Sequence, residues 1–148
     1  MKAMMFAAFA ALAACTAAAP NAGAQSGDAF AGTWAFQSQP YGNEQFGVIM
    51  SGAMIATHTR GDAYAVRLTA NELIISRTDG QSRLLTAHQT CEGARSGEVF
   101  NITCTIAEAP EGYAADNFIL QRGEGEQEGQ LVGAMSGNGV QVTFARVR

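Results

Sequence analysis

The chain has 148 residues, 47% of them hydrophobic and 15% charged, with a formal net charge of −4. That length and apolar content suit one domain with a single core. The only lysine is Lys2; beyond it eight arginines face 13 acidic residues, about −5 in all, and with no basic cluster the balance argues against a nucleic-acid partner.

At the N-terminus Lys2 precedes an apolar run from Ala3 to Leu12. Such a run matches the core of a secretory signal and falls well short of the roughly 20 apolar residues that span a bilayer. Residues 1–24 therefore read as an export signal. Two cleavage patterns overlap. Leu12-Ala13-Ala14-Cys15 looks like the lipobox of bacterial lipoproteins, in which Cys15 is acylated and becomes the first residue; Ala22-Gly23-Ala24 fits the small-x-small rule, leaving Gln25 first. The lipobox, set at the right distance from Lys2, is the preferred reading. It makes 16–29 a flexible tether rich in Ala and Gly. The expected location is then the periplasm, with membrane contact only through the lipid anchor on the outer membrane; the other cleavage gives a soluble periplasmic or secreted protein. Either route leaves Cys91 and Cys104 as an even pair in an oxidising compartment, which predicts a disulfide.

From residue 30 to 148 no helical periodicity persists. Polar residues alternate with β-branched and aromatic ones, broken by Gly-containing turns, which predicts strands at 32–38, 45–57, 63–70, 72–78, 82–91, 99–107, 116–122, 130–136 and 140–147. The fold class is all-β: an antiparallel up-and-down meander of eight or nine strands. With so little helix to cover it, it must protect its edges by closing into a lipocalin-like barrel or folding into a sandwich, and the barrel is the expectation. Turn chemistry proposes registers. Gly97-Glu98 as a type II′ turn sets Cys91 opposite Cys104. Gly61-Asp62 aligns Ile55 and Thr57 with Val66 and Leu68. Asn138-Gly139 as a two-residue type I′ turn pairs Met135 with Val142, Gly133 with Phe144 and Leu131 with Arg146. Asp79-Gly80 leaves Leu73 and Ile75 on the face opposite Cys91, a conflict that a bulge would mend.

Chemistry-bearing motifs are sparse. His58 and His88 lie far apart, and a metal site needs three or four ligands at characteristic spacings, so no metal is expected. Gly133-Ala134-Met135-Ser136-Gly137 has its serine one place late for a nucleophile elbow. Arg60-Gly61-Asp62 is a turn, since Gly-Asp is a good turn pair. The acidic stretch from Glu124 to Gly129 reads as a solvated hairpin loop. No catalytic residue and no cofactor are expected; an enzyme with Glu108, Asp116 and a histidine converging on the 108–116 loop is the minority reading.

The first strand carries Gly32-Thr33-Trp34, with the only Trp of the chain, and the last ends in Arg146. This resembles the calycin barrels: lipocalins, avidins and the bacterial Inh-type metalloprotease inhibitors. The resemblance implies that Trp34 closes the barrel bottom beneath the stacked guanidinium of Arg146, as a structural pair. It also implies a non-enzymatic binding module, for which Met50, Met54 and Met135 are candidate lining for a small apolar ligand. The Inh resemblance implies an alternative, inhibition of or interaction with an envelope or secreted protein through the segment ahead of the barrel, up to Ala29.

Overall fold

Alternation along the chain becomes nine strands: β1 (Gly32–Ser38), β2 (Tyr41–Gly42), β3 (Phe46–Arg60), β4 (Ala63–Ser76), β5 (Ser82–Ser96), β6 (Val99–Glu108), β7 (Phe118–Arg122), β8 (Gln130–Met135) and β9 (Gln141–Arg146). The computed structural model describes residues 27–148. The expected export signal (1–24), Cys15 and the expected tether as far as Ser26 lie outside the described residues. From β3 onward each strand pairs antiparallel with the next, and β1 pairs with both β9 and β3, so eight strands close into a barrel. The two-residue β2 adds to the rim of β3. Closure removes the exposed edges an open meander would present. The only helical turn among the described residues is Gly125–Gln127, inside the exposed acidic loop between β7 and β8.

Inward rows fill the interior. Phe36 stacks on Phe144 at 4.8 Å, and Phe118 meets both edge-on. Nearer one end, Phe30 stacks on Phe100 at 4.9 Å with Tyr64 against both. Met50 and Met54 are wholly buried in the same cluster. Such packing leaves the barrel interior to side chains, as in other eight-stranded barrels of small bore.

The β5–β6 hairpin has the proposed register: Ser96 faces Val99, Gly97 takes a positive φ of 61°, and Cys91 faces Cys104. The two cysteines form a disulfide with their Cα atoms 4.0 Å apart. Elsewhere the registers differ from expectation, each for a local reason. The segments 63–70 and 72–78 are one strand, Ala63–Ser76, paired with β5 without any irregularity. Val66, Leu68 and Ala70 point inward while Leu73 and Ile75 point outward, so apolar residues do occupy both faces and no bulge mends it.

The irregularity sits instead between His58 and Arg60. It moves the pairing by one, so Ala56 faces Val66 and Met54 faces Leu68, correcting the alignment through Thr57 and Ile55. Ile55 consequently lies outside, 43% exposed, because a one-residue slip turns every side chain over.

Asn138-Gly139 closes a four-residue loop, Ser136 to Gly139, rather than a two-residue turn. Met135 N–H donates to Val140 O at 2.9 Å, and Gly139 N–H to Met135 O at 2.8 Å. Only Gly139 has a positive φ, 72°, whereas a type I′ turn needs it at Asn138 too. The register moves by two: Gly133 faces Val142 and Leu131 faces Phe144. An even shift keeps Val142 and Phe144 inward. The same loop recurs at 77–80, with Ser76 and Gly80 in the equivalent bonds and Asp79 in place of Asn138.

β3, β4 and β5 outrun their neighbours at one rim. β1 reaches β3 only as far as Ser51, and β6 reaches β5 only from His88. Residues 46–50, 71–76 and 82–87 therefore rise as a three-stranded flap beside the mouth.

Candidate functional site

At the end away from the flap, Gly32, Trp34 and Arg146 come together. Trp34 is buried, its Nε1 donating to Phe30 O at 3.1 Å. The Arg146 guanidinium lies over the indole, 4.4 Å from the ring centroid, and donates to Ala31 O at 2.8 Å and Ala29 O at 3.0 Å. Gly32 has a φ of +133°, and a Cβ there would stand 2.7 Å from Arg146 Nη1. The glycine before the tryptophan is thus required twice, by its backbone and by the arginine that crosses it.

Asp28 completes this closed end. Its Oδ1 accepts from Phe30 and Ala31 N–H, and its Oδ2 from the Tyr64 hydroxyl at 2.6 Å. Burial alone would raise its pKa, but these hydrogen bonds hold it below the usual carboxylate value. Tyr64 is pushed up to about 12 by burial and by its carboxylate partner.

The other end is an open cup of about 430 Å³. Its wall is the inner face of the flap (Glu72, Arg83, Leu85), faced by Tyr41, Met135 and the 109–117 connection between β6 and β7. That connection is drawn inward by Asp116, which is buried. The Gln89 amide, on the inner row of β5, donates to Asp116 Oδ2 and accepts from the Asp116 N–H. The Tyr113 hydroxyl also donates to Asp116 Oδ2, at 2.9 Å, and Tyr41 donates to Glu72 Oε1 at 2.8 Å. Burial raises the Asp116 pKa, the bonds from Gln89 and Tyr113 oppose this, and the Glu72 charge raises it further. Both Tyr41 and Tyr113 sit well above the ordinary phenol value, chiefly through burial and then through the carboxylates. Two carboxylates and two phenols thus converge on one cavity.

Comparison with known proteins finds no family model, no curated protein and no solved structure that matches the chain. The closed eight-stranded architecture is consistent with a calycin-like barrel.

Of the three candidate methionines, Met135 lines the cup, while Met50 and Met54 are sealed in the core. His58 bonds through Nε2 to Gly61 O at 2.7 Å and packs on Tyr64. His88 bonds to Thr69 Oγ1 across the strands, and Glu108 is its pairing partner on β6. Asp116 turns to Gln89 and Tyr113 instead, so the acid, base and histidine of the enzyme reading are not assembled. Among the described residues no three His, Cys, Asp or Glu side chains gather as metal ligands. Sequence reasoning missed Tyr41, Glu72, Gln89 and Tyr113. Two had a readable signal: Glu72 extends the inward row of Val66, Leu68 and Ala70, and Gln89 lies between Ala87 and Cys91, so each is a polar residue at an inward position.

Proposed function

We propose that the protein is an exported, lipid-anchored binding module of the calycin type, and that its ligand site is the cup at the barrel mouth. One observation carries this: Asp116, buried and beside the Glu72 carboxylate, is costly to ionise in a semi-enclosed cavity where the described residues form no ion pair with either. A ligand bearing an ammonium or another cluster of hydrogen-bond donors would pair with the carboxylates that Arg83, the arginine of the cup wall, leaves without an ion pair, while Leu85, Met135 and the tyrosine rings accept its apolar part. The buried state of Met50 and Met54 is why the cup, rather than the barrel interior, is favoured as the place for a small ligand.

Isothermal titration with a panel of organic amines, organic acids and fatty acids tests the reading. Binding of an amine, weakened about tenfold or more by Glu72→Gln (about 1.4 kcal/mol), is the expected result. Binding of fatty acids alone, with shifts at Met50 and Met54, would return the ligand to the interior. No binding by any class would remove the small-ligand reading.

A second reading, an interaction or inhibitor module of the Inh type, draws support from the rigid clasp on Asp28, Ala29 and Ala31 at the closed end. Any segment ahead of Asp28 leaves from a fixed mount. Inhibition of a co-expressed secreted protease that survives deletion of residues 25–27 would end the trunk mechanism.

A further inference from the structure

The inner face of the flap sets its charges at successive levels along β5. Arg83, Leu85, Ala87 and Gln89 share one face of that strand, and Ala87 and Gln89 are buried, so this row points to the barrel side. Gln89 holds Asp116, Leu85 pairs with Glu72 of β4, and Arg83, paired with Ile74, stands at the rim. Arg83 is the one cationic side chain lining the cup. It lies diagonal to Glu72 across the ladder, a separation of about 7–8 Å that long side chains can bridge. It does not bridge it: the one ion pair among the described residues is Arg122–Glu98. Asp116 also keeps an acceptor for the cavity. The Gln89 amide and the Tyr113 hydroxyl both reach Oδ2, and Oδ1 accepts from no described residue. Yet no polar side-chain atom among the described residues is both sealed and without a partner. Oδ1 therefore opens to solvent although the residue is only 4% exposed, and the cavity that Asp116 lines is the cup.

We propose that the ligand of the cup is a zwitterion, a short peptide with free termini, whose ammonium lies between Asp116 Oδ1 and Glu72 and whose carboxylate lies on Arg83. The inference rests on the cup being the ligand site and adds the ligand's second charge. A guanidinium takes a carboxylate through two parallel N–H bonds, which an amide cannot accept in the same way. Two residues of rise, about 7 Å, separate the level of Arg83 from that of Glu72. Two extended peptide residues span about the same length. A dipeptide thus fits the spacing better than a free amino acid, whose two charged groups share one carbon. Leu85 and Met135 offer contact to an apolar side chain.

Isothermal titration of the purified chain carrying Cys15→Ser, which keeps acyl chains out of the cup, tests the proposal with leucyl-leucine, its C-terminal amide and its N-acetyl form. The lining sets three carboxylates (Glu72, Glu111 and Asp116) against one guanidinium, a field that by itself favours the amide. Only a contact to the ligand carboxylate reverses that order. The free dipeptide is expected to bind at least about tenfold tighter than the amide, and Arg83→Gln to erase the difference. N-acetylation is expected to weaken binding by at least about tenfold. If Arg83→Gln fails to fold, the side-chain NMR signal of Arg83 in the unsubstituted protein decides: it shifts with the free dipeptide and stays with the amide. An amide that binds as tightly as the acid overturns the zwitterion and leaves the amine site standing. Tighter binding of both forms by Arg83→Gln means that Arg83 neutralises Glu72 instead, and likewise overturns it. No binding by the dipeptide, its amide or any other amine removes the inference together with the site.

Discussion

The barrel holds a carboxylate–tyrosine pair at each end, and the two behave in opposite ways. Asp28 with Tyr64 at the closed end is held below the usual carboxylate pKa, while Asp116 with Tyr113 at the mouth is raised. Burial pushes both upward; the neighbours decide the outcome. Asp28 receives two backbone N–H groups besides the phenol, with His58 adding attraction. Asp116 is more deeply buried, receives two side-chain donors, and shares its cavity with Glu72. Similar residue types therefore make a clasp where donors surround the charge and an under-compensated site where a second carboxylate stands.

The closed end should be the costlier one to break. Trp34→Ala removes a fully buried indole and is expected to lose about 3–5 kcal/mol in urea unfolding, provided the surrounding core cannot collapse into the space. Arg146→Lys keeps a cation near the ring but cannot reach two carbonyls with one planar group, so about 1–2 kcal/mol is expected. Should both variants unfold at the wild-type midpoint, the closed end is no clasp.

Much of this end, and most of the barrel, is legible in the residues themselves. Alternation gives seven of the nine expected strand positions within a few residues, and Gly97-Glu98 with cysteine parity leads to the observed disulfide. Gly32, Trp34 and Arg146 point to the closed end only through the calycin resemblance, which implies the stacking of Arg146 on Trp34. What misleads is turn chemistry that serves two loop lengths: Asn138-Gly139 fits a two-residue turn, yet Gly139 alone takes the left-handed conformation. The break expected near Asn71 coincides with the place where β4 leaves the barrel body and its outer face turns apolar at Leu73 and Ile75. The mouth is harder to read. Glu72 and Gln89 betray themselves by parity, but Tyr41 lies in the two-residue β2 and Tyr113 in an irregular connection, both set by how the chain crosses the rim, and no periodicity encodes that.

At the mouth the expected effects are smaller. Tyr113→Phe deletes one donor to Asp116 and should cost about 1 kcal/mol, read as a shift in the urea midpoint at neutral pH. It should also loosen the 109–117 connection, seen as faster amide exchange there with β1 and β9 unchanged. Equal acceleration throughout the barrel would mean that the hydroxyl supports the whole fold rather than the cup.

The finest discrimination is in the sign of a pH dependence. Asp28 has a folded pKa below its unfolded value of 3.8, so its stabilisation is present above that value and fades as pH falls through the folded one. Asp116 has a folded pKa above 3.8, so its contribution is present below 3.8 and is lost as pH rises through the folded value. The stability gap between wild type and Asp28→Asn should therefore narrow toward acid. The gap between wild type and Asp116→Asn should move against the wild type toward neutrality. Urea midpoints from about pH 3 to about pH 7 would read both slopes. Slopes of one sign would mean that the cup compensates its carboxylate as fully as the closed end does, and the case for a positively charged ligand at the mouth would lose its electrostatic basis.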